Sequence, residues 1–212
     1  MTQPATRQDD GADNGPVQQR QGRLVVFSGP SGVGKTTITT KVRQRVPQAV
    51  FSVSATTRKP APTERDGVAY YFLSEEEFAD KVAAGAFLEH ATFAGARYGT
   101  LRSEVEARLS AGAVVILDID VQGAEQVKRV MPEAQAIFIL PPDEQTLLRR
   151  LRERGRDSEE AIQRRHREAQ REIAFARSSN VYDELVVNDD LDRAVDACVK
   201  LIERKRTPSD DF

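Results

Sequence analysis

From Arg23 onward, short apolar runs alternate with charged segments whose apolar positions recur every three or four residues. Such alternation predicts strands and helices in turn. Residues 24–27 are a continuous apolar run rich in β-formers and read as a buried strand. The helix expected after it carries Ile38 and Val42 four apart, on one face. Residues 49–54 read as a second strand. The pattern then lapses across 55–67, where Pro60, Pro62 and Gly67 punctuate a loop. A strand is expected over 68–73. Ser74, with Glu75, Glu76 and Glu77 behind it, is expected to cap a helix with an acidic first turn. Residues 87–93 read as another strand.

Regular alternation returns with a helix over 101–111 and a strand over 113–120. A helix over 122–131 follows, then a strand over 136–140 stopped by Pro141 and Pro142. Helices are expected over 143–154 and 158–177, a strand over 184–188 and a helix over 191–204. The fold class is therefore α/β: a parallel sheet flanked by helices, with right-handed crossovers, interrupted by a small mixed β-rich section over about 55–100. Ligands on such sheets sit at the carboxyl ends of the strands. That rule places Ser28, Ser54, Asp118 and Asp120 on one rim.

Length and composition narrow this picture. The 212 residues suit one domain with a small added lobe, and 39% hydrophobic with 30% charged residues allow an ordinary core. The net charge of -2 gives no global argument for binding nucleic acid or a membrane. The single cysteine, Cys198, excludes an internal disulfide and reads as a core thiol on the apolar side of a helix. No apolar run reaches transmembrane length, and residues 1–22 lack the apolar core of a signal peptide. The cytoplasm is the expected location. Residues 1–22 are polar and expected to be a disordered tail, and 206–212 a short C-terminal tail.

The strongest chemical signal is the run Gly29-Pro30-Ser31-Gly32-Val33-Gly34-Lys35-Thr36-Thr37, which fits G-x-x-x-x-G-K-[ST] between a strand and a helix. Its glycines allow backbone N–H groups to turn around an anion at a helix N-terminus. Lys35 would reach the β- and γ-phosphates, and the Thr36 hydroxyl would ligate Mg²⁺. The bland alternative is a glycine-rich turn that binds nothing. Asp118, at the end of an apolar strand, suits an acidic residue that holds Mg²⁺ through water; the alternative is a carboxylate bonded to loop amides. Arg150 and Arg154 share a helix face, and Arg165 follows beyond Gly155. Arginines there could stabilise a transferring phosphoryl group, or could form a solvated face with neighbouring glutamates. Gly155 suggests a hinged flap. Glu89 could accept two N–H bonds from guanine N1 and N2, yet Glu89, Tyr70, Tyr98 and Thr100 singly read as ordinary surface or core.

Several motifs together are more specific. The P-loop run, then residues 51–58, Tyr98-Gly99-Thr100, residues 116–123 and 187–190 resemble guanylate kinase in order and spacing over about 23–205. The resemblance implies a P-loop NTPase-type core (23–54, 101–148 and 178–205), a GMP-binding insert (about 55–100) and a helical lid (about 149–177). It implies ATP-dependent phosphorylation of GMP, and of dGMP, with Mg²⁺. Gly29 to Thr37 and Asn188 would serve ATP. Lys35, Arg150, Arg154 and Arg165 would be catalytic. Ser54, Arg58 and Tyr70 would hold the GMP phosphate; Glu89 and Thr100 would read guanine beside Tyr98 and Asp120. Thr36 and, through water, Asp118 would serve the metal. Two other readings stay open: a non-catalytic guanylate-kinase-like interaction module, and a related kinase acting on a phosphorylated sugar. The chain departs from the family at one position. Ala61 stands where a second GMP-phosphate arginine is usual, so that either Lys59 or Arg65 substitutes or GMP binds more weakly; partial compensation by Arg65 is expected.

Overall fold

A computed structural model describes residues 22–153, 155 and 158–204. The N-terminal tail expected over 1–22 lies outside the described residues except for Gly22, the C-terminal tail over 206–212 lies wholly outside them, and so does Arg154. The element order is β1 (Arg23–Ser28), α1 (Lys35–Arg45), β2 (Ala49–Phe51), β3 (Ser54–Thr56), β4 (Tyr71–Phe72), α2 (Glu75–Ala83), β5 (Phe87–Phe93), β6 (Ala96–Leu101) and α3 (Arg102–Ser110). It continues with β7 (Val114–Asp118), α4 (Val121–Val130), β8 (Gln135–Leu140), α5 (Glu144–Glu153), α6 (Glu159–Ser178), β9 (Glu184–Val187) and α7 (Leu191–Glu203).

Five strands form a parallel sheet in the order β2-β7-β1-β8-β9. β1 and β8 are buried almost throughout, which is why their sequences show no polar alternation: helices cover both faces. On one face Phe27, Ile38, Val42, Ile116, Ile139, Val195 and Cys198 form the core under α1 and α7. On the other, Leu24, Val26, Val105, Leu117, Ala124 and Val127 pack under α3 and α4. Cys198 is fully buried, and burial pushes its thiol up to about 12, as expected of a core residue. No helix among the described residues is long and apolar enough to cross a membrane.

A second, four-stranded sheet has the order β4-β3-β6-β5, with β3–β4 parallel and the β3–β6 and β5–β6 pairs antiparallel. The strand expected over 49–54 is split between the two sheets. Ser52 N–H makes a last bond to the Ile116 carbonyl at 3.2 Å, and Ser54 then starts the second sheet. Ser54 therefore does not stand on the parallel sheet's rim. The strand expected over 68–73 shrinks to Tyr71–Phe72, because the Val68 and Ala69 N–H groups turn back to the Arg65 carbonyl at 3.2 and 3.0 Å. β6 went unanticipated. Its signal is the two-residue turn Ala94-Gly95, both at positive φ (50° and 80°), between paired Phe93 and Ala96. Ser74 caps α2 as expected: the Glu77 N–H bonds Ser74 Oγ at 3.1 Å, and Glu77 Oε2 accepts from the Ser74 N–H at 2.7 Å.

Candidate active site

The glycine loop joins β1 to α1 at the centre of the parallel sheet, with β7 on one side and β8 on the other. Gly34 caps α1 in the left-handed conformation (φ 94°), and a Cβ there would lie 2.7 Å from Asn188 Nδ2. Only glycine fits both demands. Lys35 opens the helix. Its Nζ lies 2.7 Å from Asp118 Oδ1 and donates to the Ile119 carbonyl at 2.9 Å. Thr36 Oγ1 donates to Asp118 Oδ2 at 3.4 Å. The parallel β1–β7 register, which sets Phe27 opposite Asp118, brings these three residues together.

Asn188 is 5% exposed, and its Nδ2 donates to the Val33 carbonyl at 2.7 Å. Arg150 donates from Nη1 to the same carbonyl at 3.3 Å and from Nη2 to the Asn188 carbonyl at 3.1 Å. Both side chains thus brace the back of the glycine loop. Arg165 is half-buried on α6. Arg152 pairs with Glu159 at 2.6 Å, bridging α5 and α6.

The strand expected over 113–120 stops at Asp118, because Asp120 is the N-cap of α4 and accepts from the Gly123 N–H at 2.8 Å. The second sheet faces this end of α4. Across it Ser54, Thr100 and Glu89 lie in register, Ser54 opposite Thr100 and Thr100 opposite Glu89. A register shift between Phe87 and Glu89 breaks the alternation of β5, so that Phe87, Leu88 and Glu89 are all buried. Glu89 is 7% exposed and accepts from the Thr100 hydroxyl at 2.6 Å. Burial pushes its carboxyl above the ordinary glutamate range; the Thr100 bonds oppose this and the Asp120 charge adds to it. A buried carboxylate with one oxygen engaged has acceptor capacity to spare. Tyr70 and Tyr98 stand edge to face at 6.0 Å, and the Arg58 guanidinium lies over the Tyr70 ring at 5.3 Å.

Three further residues shape this half of the site, and the sequence reading gave none of them a role. Glu64 holds Arg58 through two bonds, of 2.8 and 3.0 Å. Gln126 on α4 accepts from the His90 N–H and donates to the His90 carbonyl, both at 3.1 Å, clamping β5 one residue past Glu89. A Cβ on Gly123 would lie 3.1 Å from Glu89 Oε2 and 3.2 Å from Ile119 Cδ1. For Gly123 the adjoining Asp120 was the available signal; for Glu64 and Gln126 nothing in a linear pattern marks the partner. Gly123→Ala is expected to leave the melting temperature unchanged or slightly higher, since alanine favours a helix interior by about 0.5–1 kcal/mol. It is also expected to displace Glu89 by a few tenths of an ångström. Steady-state kinetics should then show the KM of the substrate that Glu89 binds raised by about five- to tenfold, with the KM of the substrate on the glycine loop unchanged, because a misplaced hydrogen-bonding group weakens binding only at its own ligand.

A family model described as guanylate kinase matches residues 21–205. The chain is 52% identical over 174 residues to a guanylate kinase of Thermosynechococcus vestitus, covering 82% of this chain and 90% of the relative. It is 46% identical over 196 residues to one of Anaeromyxobacter dehalogenans, covering 92% and 86%. Its fold is similar to the crystal structure of guanylate kinase from Anaplasma phagocytophilum, with a TM-score of 0.65 at 31% identity over 87% of this chain and 86% of that one.

Proposed function

Because this chain belongs to the guanylate kinase family, we infer that it transfers the γ-phosphoryl group of ATP to GMP, giving ADP and GDP. The observation that carries the reading is one fold bearing both halves of such a site. A glycine loop with Lys35 and Asp118 sits at the sheet centre, and a buried Glu89–Thr100 pair on the second sheet faces the same end of α4.

In this reading the loop amides from Gly29 to Thr37 surround the ATP phosphates, and Lys35 places its ammonium on the β- and γ-oxygens. Ser54, Arg58 and Tyr70 hold the GMP phosphate. Glu89 accepts from guanine N1–H and N2–H while Thr100 fixes its inner oxygen; Tyr98 and Asp120 complete the wall. Catalysis is positioning plus charge stabilisation, with no covalent intermediate. Arg165 and Arg154 would supply positive charge to the equatorial oxygens when α6, within the lid of about 149–177, swings about Gly155 (φ 62°) toward the site. Arg150 and Asn188 act from behind, holding the Val33 carbonyl and so the curvature of the loop on which ATP sits. The core of the domain is 23–54, 101–148 and 178–205, and the GMP-binding lobe about 55–100, with the break between them falling at Ser52–Ser54.

Mg²⁺ fits the residues present. The Thr36 hydroxyl and the Asp118 carboxylate lie 3.4 Å apart and offer hard oxygen donors. No cluster of three or more His, Cys, Asp or Glu suited to a metal exists among the described residues, in keeping with an ion held mainly by phosphates and water. When bound, it would neutralise charge on the phosphate oxygens. A cytoplasmic setting is part of the reading, in keeping with the free thiol of Cys198.

The interaction-module reading is disfavoured by the retained Lys35–Asp118 pair. The sugar-phosphate reading leaves the buried Glu89–Thr100 pair without a use. The test is ATP-dependent turnover of GMP, dGMP, AMP, CMP and UMP by the full chain. GMP and dGMP are expected to be converted and the others to react at least about 10³-fold more slowly, since a site built to pair a base edge strongly rejects bases lacking it. Equal turnover of AMP would overturn the assignment of Glu89.

A further inference from the structure

We propose that Glu64 is a positioning residue for the acceptor's phosphate: it fixes Arg58 by one edge of the guanidinium so that a single arginine can grip two phosphate oxygens with the other. The inference rests on the GMP kinase reading above. Ala61 leaves the phosphate site one arginine short of the family pattern, so the remaining Arg58 carries more of the recognition.

The hydrogen bonds of Arg58 define the geometry. A guanidinium has five N–H donors in a fixed plane. Nη1 donates to Glu64 Oε2 at 3.0 Å and to the Lys59 carbonyl at 2.8 Å, and Nη2 donates to Glu64 Oε1 at 2.8 Å. The Tyr98 hydroxyl also lies beside the guanidinium and interacts with it. The two N–H groups that neither Glu64 nor the Lys59 carbonyl engages are the Nε–H and the second Nη2–H, which point the same way and form the side fork that matches two oxygens of a phosphate. The Tyr70 ring lies under the guanidinium at 5.3 Å and that of Phe72 at 5.8 Å, which fixes the plane of the fork.

Glu64 is itself held. Its Oε2 also accepts from the Ala61 N–H at 2.7 Å, so the loop backbone at the departing position anchors the carboxylate. Arg58 and then this N–H keep its carboxyl below the ordinary range, and it stays ionised throughout neutral pH. Arg65, another candidate to compensate for Ala61, is exposed, and its side chain makes no hydrogen bond or ion pair among the described residues.

Two effects of Glu64 oppose one another. Its negative charge repels a phosphate, which by itself predicts that Glu64→Gln tightens GMP binding. Its grip on Arg58 removes the rotamer freedom that binding would otherwise have to remove, which predicts the reverse. The solvent-facing loop screens the repulsion, while the two bonds hold the fork directly. Positioning therefore dominates.

The test is steady-state kinetics of Glu64→Gln and Arg65→Ala beside the unaltered chain, with guanosine as a competitive inhibitor that lacks the phosphate. Glu64→Gln keeps the size of the side chain and an acceptor for the Ala61 N–H, and a melting curve checks its fold. The GMP KM is expected to rise about tenfold, with the ATP KM and the guanosine Ki within about twofold and Arg65→Ala unchanged. A GMP KM that stays or falls in Glu64→Gln overturns the inference, as does an effect of Arg65→Ala as large as that of Glu64→Gln. A parallel rise in the guanosine Ki overturns it too, since Glu64 would then be supporting the whole lobe. Absence of GMP turnover in the unaltered chain removes the parent reading and this inference with it; normal turnover with an unmoved Glu64→Gln removes this inference alone.

Discussion

Lys35→Met is expected to lower kcat/KM for ATP by about 10³-fold, equivalent to about 4 kcal/mol of transition-state stabilisation. The ammonium is fixed by Asp118 Oδ1 at 2.7 Å and the Ile119 carbonyl at 2.9 Å, so it is placed before substrate arrives. Methionine keeps the length of the chain but supplies neither charge nor donors. It also leaves the Asp118 carboxylate uncompensated beside a polyanion, which adds to the loss. Folding should be little affected. The pair is partly exposed, 18% and 26% for the two side chains, and such ion pairs contribute about 0–1 kcal/mol. Melting curves and initial rates on the same preparation separate the two effects. A loss of less than tenfold with an intact fold would mean that the loop amides alone carry the phosphate.

Glu89→Gln should act on the other substrate. Two hydrogen bonds to a charged acceptor, at about 1.5–3 kcal/mol each, give about a 10³-fold loss in kcat/KM for GMP, with the KM for ATP unmoved. The glutamine NH₂ would face a donor edge of guanine. Stability should move oppositely to activity. Burial raises the Glu89 carboxyl, so the cost of ionising it in the folded protein is absent below the ordinary glutamate range. That cost is complete only above the raised value, so Glu89→Gln is expected to melt higher at neutral pH. The same shift gives a pH signature. A protonated Glu89 is a donor as well as an acceptor and cannot take both guanine N–H groups, so guanosine inhibition should weaken as pH falls through the raised value. The profile of Glu89→Gln should stay flat. Guanosine is the probe because it has no phosphate of its own to titrate. A flat profile in the unaltered protein would place base recognition elsewhere.

Much of the site could be read along the chain because its parts are local. Gly29 to Thr37 are consecutive and their chemistry belongs to one turn between a strand and a helix. Asp118 and Asp120 ended an apolar run, which located the sheet rim without any coordinates. Yet the same run misled over Asp120, since a strand and the N-cap two residues beyond it look alike until the Gly123 N–H is seen to bond the side chain. Ser54 misled in the same way. Residues 49–54 are a plausible single strand by pattern, and only the transfer of the chain from one sheet to the other shows that it belongs to the second.

By itself the sequence determined the glycine loop, the alternation that makes a parallel sheet and the place of Ser28 and Asp118 at its carboxyl end. Each depends on neighbours in the chain, whose spacing sets backbone conformation and facing side. The tertiary structure alone decided which distant groups meet. It placed Gln126 on the backbone of His90, Asn188 and Arg150 on the Val33 carbonyl, and Gly123 against Glu89. It also buried Glu89, which raises its carboxyl, and brought the charge of Asp120 to bear on it in the same direction. Those interactions join residues 31 to 155 positions apart. Hydrogen bonds and burial act over a few ångströms of space, and no periodicity in the chain encodes a separation of that kind.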